Sequence, residues 1–379
     1  MSPVTRRSVL LGGAGAMAAL PLLNATASAA ATDWSLEVVK STTARFTPSS
    51  IGGWSYPVGL YLYGQYLVYK RTGTRSYFDY IKTWMDRFVD GSGNISQSFT
   101  NLDSMRCMQL LPILHRETGL ARYKTAADKL RKRFPGYPRT SDGGMFHATS
   151  KVGQLWGDGV FMAQPFIANY AAAYNDSYGF DESTKNMVVY FAHLKADNGL
   201  IFHAYDEDGS ESWASGTGHH SKFHWGRAIG WFGMAAIDIL EVLPAAHPRR
   251  QNLIDIVKHL AGGYARFQDA ATGRWWQVVD KGTTAGNWLE TSCSAMYTFM
   301  LSRGVERGYL DPSYQAVAAK GYQGVLAKIA LGSDKRTNLT DICEGTNVGD
   351  LNYYLKRARK TNDFHGLGAF LIMNEQLTK

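Results

Sequence analysis

Gly59-Leu60-Tyr61-Leu62-Tyr63-Gly64-Gln65-Tyr66-Leu67 and Tyr77-Phe78-Asp79-Tyr80-Ile81-Lys82-Thr83-Trp84 are two segments of helical apolar spacing on either side of the turn Thr72-Gly73. Such a pair, punctuated by Thr-Gly, predicts a helical hairpin. The plan recurs in residues 105–117 and 123–133, with Thr118-Gly119 where Thr72-Gly73 stood. Further pairs begin near Val160 and Asp181, near Trp231 and Pro248, and near Cys293 and Tyr314, with an opening helix over 34–44 and a last one over 366–376. Repetition of one unit marks a repeat architecture of about twelve helices. One hairpin leaves an apolar stripe uncovered, so neighbours must stack. A closed ring of six hairpins covers every stripe, and a linear helical solenoid is the competing arrangement. Loop lengths favour the ring, because long connections at 136–156 and 206–225 alternate with the tight Thr-Gly turns, as in a barrel with one functional rim. The strand signal is confined to 200–205 and 275–279, which fit small ribbons at that rim. The expected fold is all-α, an (α/α)6 barrel of six helical hairpins with short β ribbons in the rim loops.

The first residues concern destination rather than fold. Thr5-Arg6-Arg7-Ser8-Val9-Leu10 carries a twin arginine, the apolar run ends near Leu23, and Ala27-Ser28-Ala29 offers a cleavage site. Residues 1–29 therefore read as a twin-arginine export signal that is removed, leaving 30–379 as a single barrel domain of a secreted protein. Loss of Arg6 and Arg7 takes the formal charge from +8 to about +6. Lysine and arginine are scattered rather than clustered, which argues against nucleic acid and leaves an acidic small molecule or saccharide as the partner. Cys107, Cys293 and Cys343 have no metal or disulfide spacing and read as buried small residues. No membrane span is expected in the mature chain, which acts as a monomer or weak homo-oligomer.

The long connections hold the chemistry. Asp158 lies in Leu155-Trp156-Gly157-Asp158-Gly159-Val160-Phe161-Met162. Its aromatic and apolar surroundings predict a desolvated carboxyl of raised pKa, suited to proton donation, although helix capping explains the same position. Asp103, in Asn101-Leu102-Asp103-Ser104-Met105, is open to the same two readings. Trp225 and Trp231 bracket Arg227, and flat rings with an arginine fork suit a uronic acid; core packing and a surface ion pair are the alternative. His219, His220 and His224 lack companion ligands at a zinc spacing, so a metal ranks below the sugar reading. There is no Gly-x-Ser-x-Gly elbow and no phosphate-cradling loop.

At these residues the chain resembles glycoside hydrolase family 105, the unsaturated rhamnogalacturonyl hydrolases, relatives of the unsaturated glucuronyl hydrolases. The resemblance spans the mature chain. It rests on Trp54-Ser55-Tyr56, Asn101-Leu102-Asp103, Phe146-His147, Trp156-Gly157-Asp158, Trp225-Gly226-Arg227 with Gly230-Trp231, Gly286-Asn287-Trp288-Leu289-Glu290-Thr291-Ser292 and His365-Gly366-Leu367-Gly368. It implies a six-hairpin barrel that removes a terminal 4,5-unsaturated uronic acid from lyase-generated oligosaccharides, first of all unsaturated galacturonyl-rhamnose. By the same matching, Asp158 protonates C4 of the C4=C5 bond and Asp103 supports it, while Tyr56, His147, Trp225, Arg227 and Trp231 line the uronate subsite. The chemistry so implied needs neither metal nor organic cofactor. Two departures bear on specificity: Gly159 stands where the family often has a second acid, and Ala228-Ile229 where it commonly has Gly-Asn. Alternatives are an unsaturated β-glucuronyl hydrolase acting on ulvan-like or plant oligosaccharides, a conventional glycosidase or lyase on the same barrel, and a non-catalytic protein binding acidic oligosaccharides.

Overall fold

Gly73 and Gly119 each stop a helix in the left-handed region, at φ of 69°. A residue without a Cβ takes this conformation at no steric cost, so the chain turns back on itself where the Thr-Gly pairs predict. The computed structural model describes residues 32–378. The predicted export signal, 1–29, lies outside them.

Before the first rim ribbon the chain forms α1 (Trp34–Arg45), α2 (Tyr56–Thr72), α3 (Arg75–Met85), α4 (Leu110–Thr118) and α5 (Ala121–Arg131). A 3-10 turn, Asp103–Gln109, leads into α4. Then follow β1 (Gln154–Trp156), α6 (Gly157–Tyr174), α7 (Ser177–Leu194), β2 (Ala204–Asp206), α8 (Gly226–Val242) and α9 (Arg250–Phe267). The remainder comprises β3 (Trp275–Trp276), β4 (Leu289–Glu290), α10 (Thr291–Glu306), α11 (Tyr314–Leu326), β5 (Ile329–Leu331), β6 (Thr337–Leu339), β7 (Ile342–Cys343), α12 (Leu351–Leu355), β8 (Arg359–Lys360) and α13 (Phe364–Leu377).

Burial separates an inner from an outer ring. α8 buries 14 of its 17 residues, whereas its hairpin partner α9 buries 7 of 18. A helix apolar all round must be enclosed, and one with a stripe needs cover on one side only. The inner ring runs α2, the 3-10 turn with α4, α6, α8, α10 and α13, and α13 packs back on α2. That last contact decides for a closed barrel over a solenoid. Glycines permit it: a Cβ at Gly64 would lie 2.7 Å from Leu371 Cβ, and one at Gly368 would lie 2.7 Å from Leu60 Cγ.

The strands form four two-stranded antiparallel ribbons, β1 with β2, β3 with β4, β5 with β6, and β7 with β8. Two of them answer to the predicted rim segments; the other two, and the short α12, carry too little periodicity to be read in advance. All three cysteines are buried and free. Among the described residues no helix is long and apolar enough to cross a membrane.

Asp238 and Arg106 are opposite charges that act on each other inside the ring. Burial raises the Asp238 carboxyl from 3.8 to about 6 against the opposing pull of Arg106, which itself falls to about 10. A raised acid contributes stability that is full below its unfolded pKa and lost as pH rises through about 4 to 6. The shift corresponds to roughly 3 kcal/mol at most.

Candidate active site

All six inner helices begin at one mouth of the barrel. Tyr56 opens α2, Asp103 opens the 3-10 turn, Asp158 is the second residue of α6, and Trp225, Glu290 and Asp363 precede α8, α10 and α13. Helix N-termini present unpaired N–H groups and partial positive charge, so their convergence favours anions. Here lies a cleft of about 410 Å³, lined by Tyr56, Asp103, His147, Trp156, Asp158 and Trp225, and by Asn101, Lys151, Thr346 and Asn347. Main-chain bonds draw distant segments together: Leu102 N–H donates to the His147 carbonyl at 2.9 Å, and His147 N–H to the Gln154 carbonyl at 2.8 Å.

Neither aspartate caps a helix. Asn101 Oδ1 accepts the Ser104 N–H at 2.8 Å, so Asn101 caps the turn and leaves the Asp103 carboxylate in the cleft, where its side chain is 38% exposed. α6 has Trp156 at its cap position, with no side-chain cap bond. Where capping is needed, Glu290 and Asp363 supply it, accepting from Ser292 N and His365 N. Asp158 instead accepts from His203 Nε2 at 3.1 Å, and Tyr354 Oη lies 2.7 Å from His203 Nδ1. Gly349 N–H donates to Tyr354 Oη, leaving the hydroxyl proton for Nδ1 and the imidazole proton for Asp158. Burial holds His203 below its usual pKa, in keeping with this neutral tautomer.

The two carboxyls shift in opposite directions. For Asp158, burial pushes the pKa up, but the hydrogen bond from His203 and the nearby positive charge of Arg227 help to outweigh it and hold the group below 3.8. The raised Asp158 expected from its apolar neighbours is thus corrected: the local sequence reports desolvation and omits the polar groups that face the carboxylate. Asp103 is the raised one, pushed up by burial and by Asp158, with His147 opposing.

The aromatic and basic residues divide between cleft and floor. Tyr56, His147 and Trp225 reach the cleft, and His147 stacks on Trp156 with ring centroids 4.4 Å apart. Trp231 is fully buried beneath them against Phe161, at 4.7 Å, so it is a floor residue rather than a lining one. Arg227 is also buried. The fork proposed for a carboxylate is turned onto main chain, Nη1 donating to the Cys343 carbonyl at 2.5 Å and Nη2 to the Glu344 carbonyl at 2.6 Å. Lys151 is the cleft's ammonium, 4.6 Å from the centre of the Trp156 ring, with no carboxylate in salt-bridge range among the described residues. His219, His220 and His224 turn Nδ1 toward the carbonyls of Glu207, Ser221 and Ile201. A Cβ at Gly159 would lie 2.7 Å from Leu102 Cδ1 and 3.0 Å from the Tyr190 hydroxyl, so a side chain there requires Leu102 to shift.

Sequence reading missed His203, Tyr354 and Lys151. His203 stood in a stretch read only as a strand, where a lone polar ring in an apolar run was the available signal. Tyr354 sits on the short α12 and had none.

A family model described as Glycosyl Hydrolase Family 88 matches residues 29–379. A solved glycoside hydrolase of family 105 from C. acetobutylicum ATCC 824 is 33% identical, with a TM-score of 0.87 over 91% of this chain and 99% of its own. The unsaturated rhamnogalacturonyl hydrolase YesR of Bacillus subtilis (strain 168) is 24% identical over 291 residues, covering 74% of this chain and 80% of that protein. An unsaturated 3S-rhamnoglycuronyl hydrolase of Alteromonas sp. (strain LOR) is 27% identical over 205 residues, 52% of this chain and 47% of that one.

Proposed function

The chain belongs to Glycosyl Hydrolase Family 88, as a glycoside hydrolase akin to family 105, and on that premise we propose that it releases the terminal 4,5-unsaturated uronic acid from lyase-generated oligosaccharides. The observation that carries the reading is the pair Asp158 and Asp103, oppositely shifted carboxyls in a cleft lined from the starts of four inner elements, by Tyr56, Asp103, Asp158 and Trp225. Carboxyls pushed apart in this way suit one proton donor and one base. The substrate is an enol ether. Protonation at C4 and addition of water oxygen at C5, with the water's proton passing to a carboxylate, give a C5 hemiketal; it opens to a C5 ketone and a C1 hemiacetal, which collapses to an aldehyde and expels the leaving sugar. Unsaturated galacturonyl-rhamnose is the preferred substrate, supported by the named activity of the Bacillus subtilis relative, and an unsaturated glucuronyl oligosaccharide is the second choice.

Two assignments of the proton follow from the shifts. In the first, the uronate carboxylate and the expulsion of cleft water raise Asp158 on binding, and it protonates C4. In the second, favoured by the raised pKa of Asp103, Asp103 is the acid and Asp158, held by His203, takes the water's proton. Either way the donor carboxyl must be protonated, so activity is expected to fall on the alkaline side as that group ionises. A profile flat from acid to alkaline pH would exclude a carboxyl donor.

With Arg227 turned inward, Lys151 is the residue proposed to meet the uronate carboxylate. Lys151→Met should raise KM about tenfold while kcat stays within about threefold, the signature of lost ground-state binding. The twin arginine and cleavage site in 1–29 support export by the twin-arginine route. The reaction itself is tested by following the ultraviolet absorbance of the conjugated C4=C5 carboxylate with unsaturated galacturonyl-rhamnose and, separately, an unsaturated glucuronyl disaccharide. Loss of absorbance supports the reading and selects the sugar; no loss with either would refute it.

A further inference from the structure

A second pocket, of about 260 Å³, adjoins the cleft and is lined by Ser212, Trp213, Lys222, Phe223, Val348 and Asp350 among others. Two chain segments wall both spaces. Along the first, Phe223 faces the outer pocket and Trp225 the cleft; along the second, 345–347 line the cleft and 348–350 the outer pocket. The dividing loop is tied down rather than loose: Asn347 N–H donates to the Tyr353 hydroxyl at 2.9 Å and Gly349 N–H to the Tyr354 hydroxyl at 3.3 Å. Asp350 Oδ1 accepts the Tyr353 N–H at 2.7 Å and so caps α12.

The chemistry of the outer pocket matches a pyranose. Trp213 is half-buried in the short turn Ser212–Ala214 and has no aromatic ring packed on it among the described residues. An indole face accepts the C–H face of a sugar. The exposed Lys222 has no carboxylate in salt-bridge range among the described residues, and with Asp350 it offers a donor and an acceptor for hydroxyls that both give and take hydrogen bonds. The barrel also dictates direction. The floor of the cleft is closed by the stacked pair Trp231 and Phe161, so a chain whose terminal uronate reaches Asp158 must leave through the mouth.

We propose that the outer pocket is a saccharide subsite for the sugar that follows the leaving sugar, so that the enzyme prefers unsaturated oligosaccharides of at least three units. This rests on the unsaturated-uronide reading of the cleft. Stacking on Trp213 supplies affinity, and Lys222 and Asp350 orient the ring.

The test compares an unsaturated disaccharide with the corresponding trisaccharide. In the native enzyme kcat/KM should be about tenfold higher for the trisaccharide, and Trp213→Ala should remove most of that ratio through KM. Trp213→Phe, which keeps a ring, should restore most of it. A ratio near one in the native enzyme, or one unchanged by Trp213→Ala, overturns the proposal. The same ratio is read independently as Kd by calorimetry on Asp158→Asn, where no turnover is needed. If neither saccharide is consumed yet the trisaccharide binds more tightly in a Trp213-dependent way, the subsite stands and the hydrolytic reading fails; equal affinities overturn the subsite.

Discussion

Asp158→Asn is expected to lower kcat by about a thousandfold or more while leaving the fold and oligosaccharide binding in place. General acid or base catalysis by a positioned side chain contributes about 10²–10⁴-fold, and both proton assignments place Asp158 at the reacting centre. The substitution is close to isosteric. An amide oxygen still accepts from His203 Nε2, so the chain from Tyr354 through His203 survives, and only the capacity to exchange a proton is lost. Stopped assays with the unsaturated disaccharide, alongside thermal melts and calorimetric binding, separate these effects. A variant retaining a tenth of native kcat would remove Asp158 from the chemistry. Asp103→Asn then divides the two assignments. If Asp158 is the acid, Asp103→Asn acts mainly on KM by loss of hydrogen bonds to ring hydroxyls; if Asp103 is the acid, its kcat falls as far as that of Asp158→Asn.

Arg227→Met is expected to cost about 1–3 kcal/mol of stability in the free enzyme, an effect that a residue serving only to contact substrate would not show. Both guanidinium Nη atoms donate to main chain, so their removal takes one charged donor from each of the Cys343 and Glu344 carbonyls, which keep His365 Nε2 and Thr346 Oγ1 as their other partners. The guanidinium also lies 4.5 Å from the centre of the Trp225 ring. Burial works against the charge, yet the nearby carboxylates of Glu290 and Asp158 and the two carbonyls it donates to offset it, and Arg227 stays cationic. Its charge is one of the influences that hold Asp158 low. Loss of Arg227 should therefore raise the Asp158 pKa and move the limb set by that group to higher pH, together with a fall in Tm. A higher KM with unchanged Tm and pH profile would mean that the fork meets the substrate after all.

The contrast between Arg227 and Lys151 shows where sequence reading succeeds and where it stops. Two tryptophans around an arginine correctly located one wall of the cleft, and Trp225 lines it. They could not say which way the arginine points, because that depends on carbonyls 116 and 117 residues further along. Lys151 passed unnoticed in a polar loop, where nothing local distinguishes it from any solvated lysine. The two aspartates were found, but the competing cap reading could be dismissed only once Asn101 was seen to cap the turn and His203 to hold Asp158.

Helical periodicity and Thr-Gly stops, by themselves, determined the hairpins, their number and the rim that carries the long loops, because these follow from contacts a few residues apart. Closure of the ring through α13 on α2, the inward turn of Arg227 and the opposite pKa shifts of Asp103 and Asp158 were decided only in the tertiary structure. The bond that holds Asp158 spans 45 residues of chain and the one behind it 151. A carboxyl's pKa answers to whatever charge and hydrogen-bond donors stand within a few ångströms in space, whatever their distance along the chain.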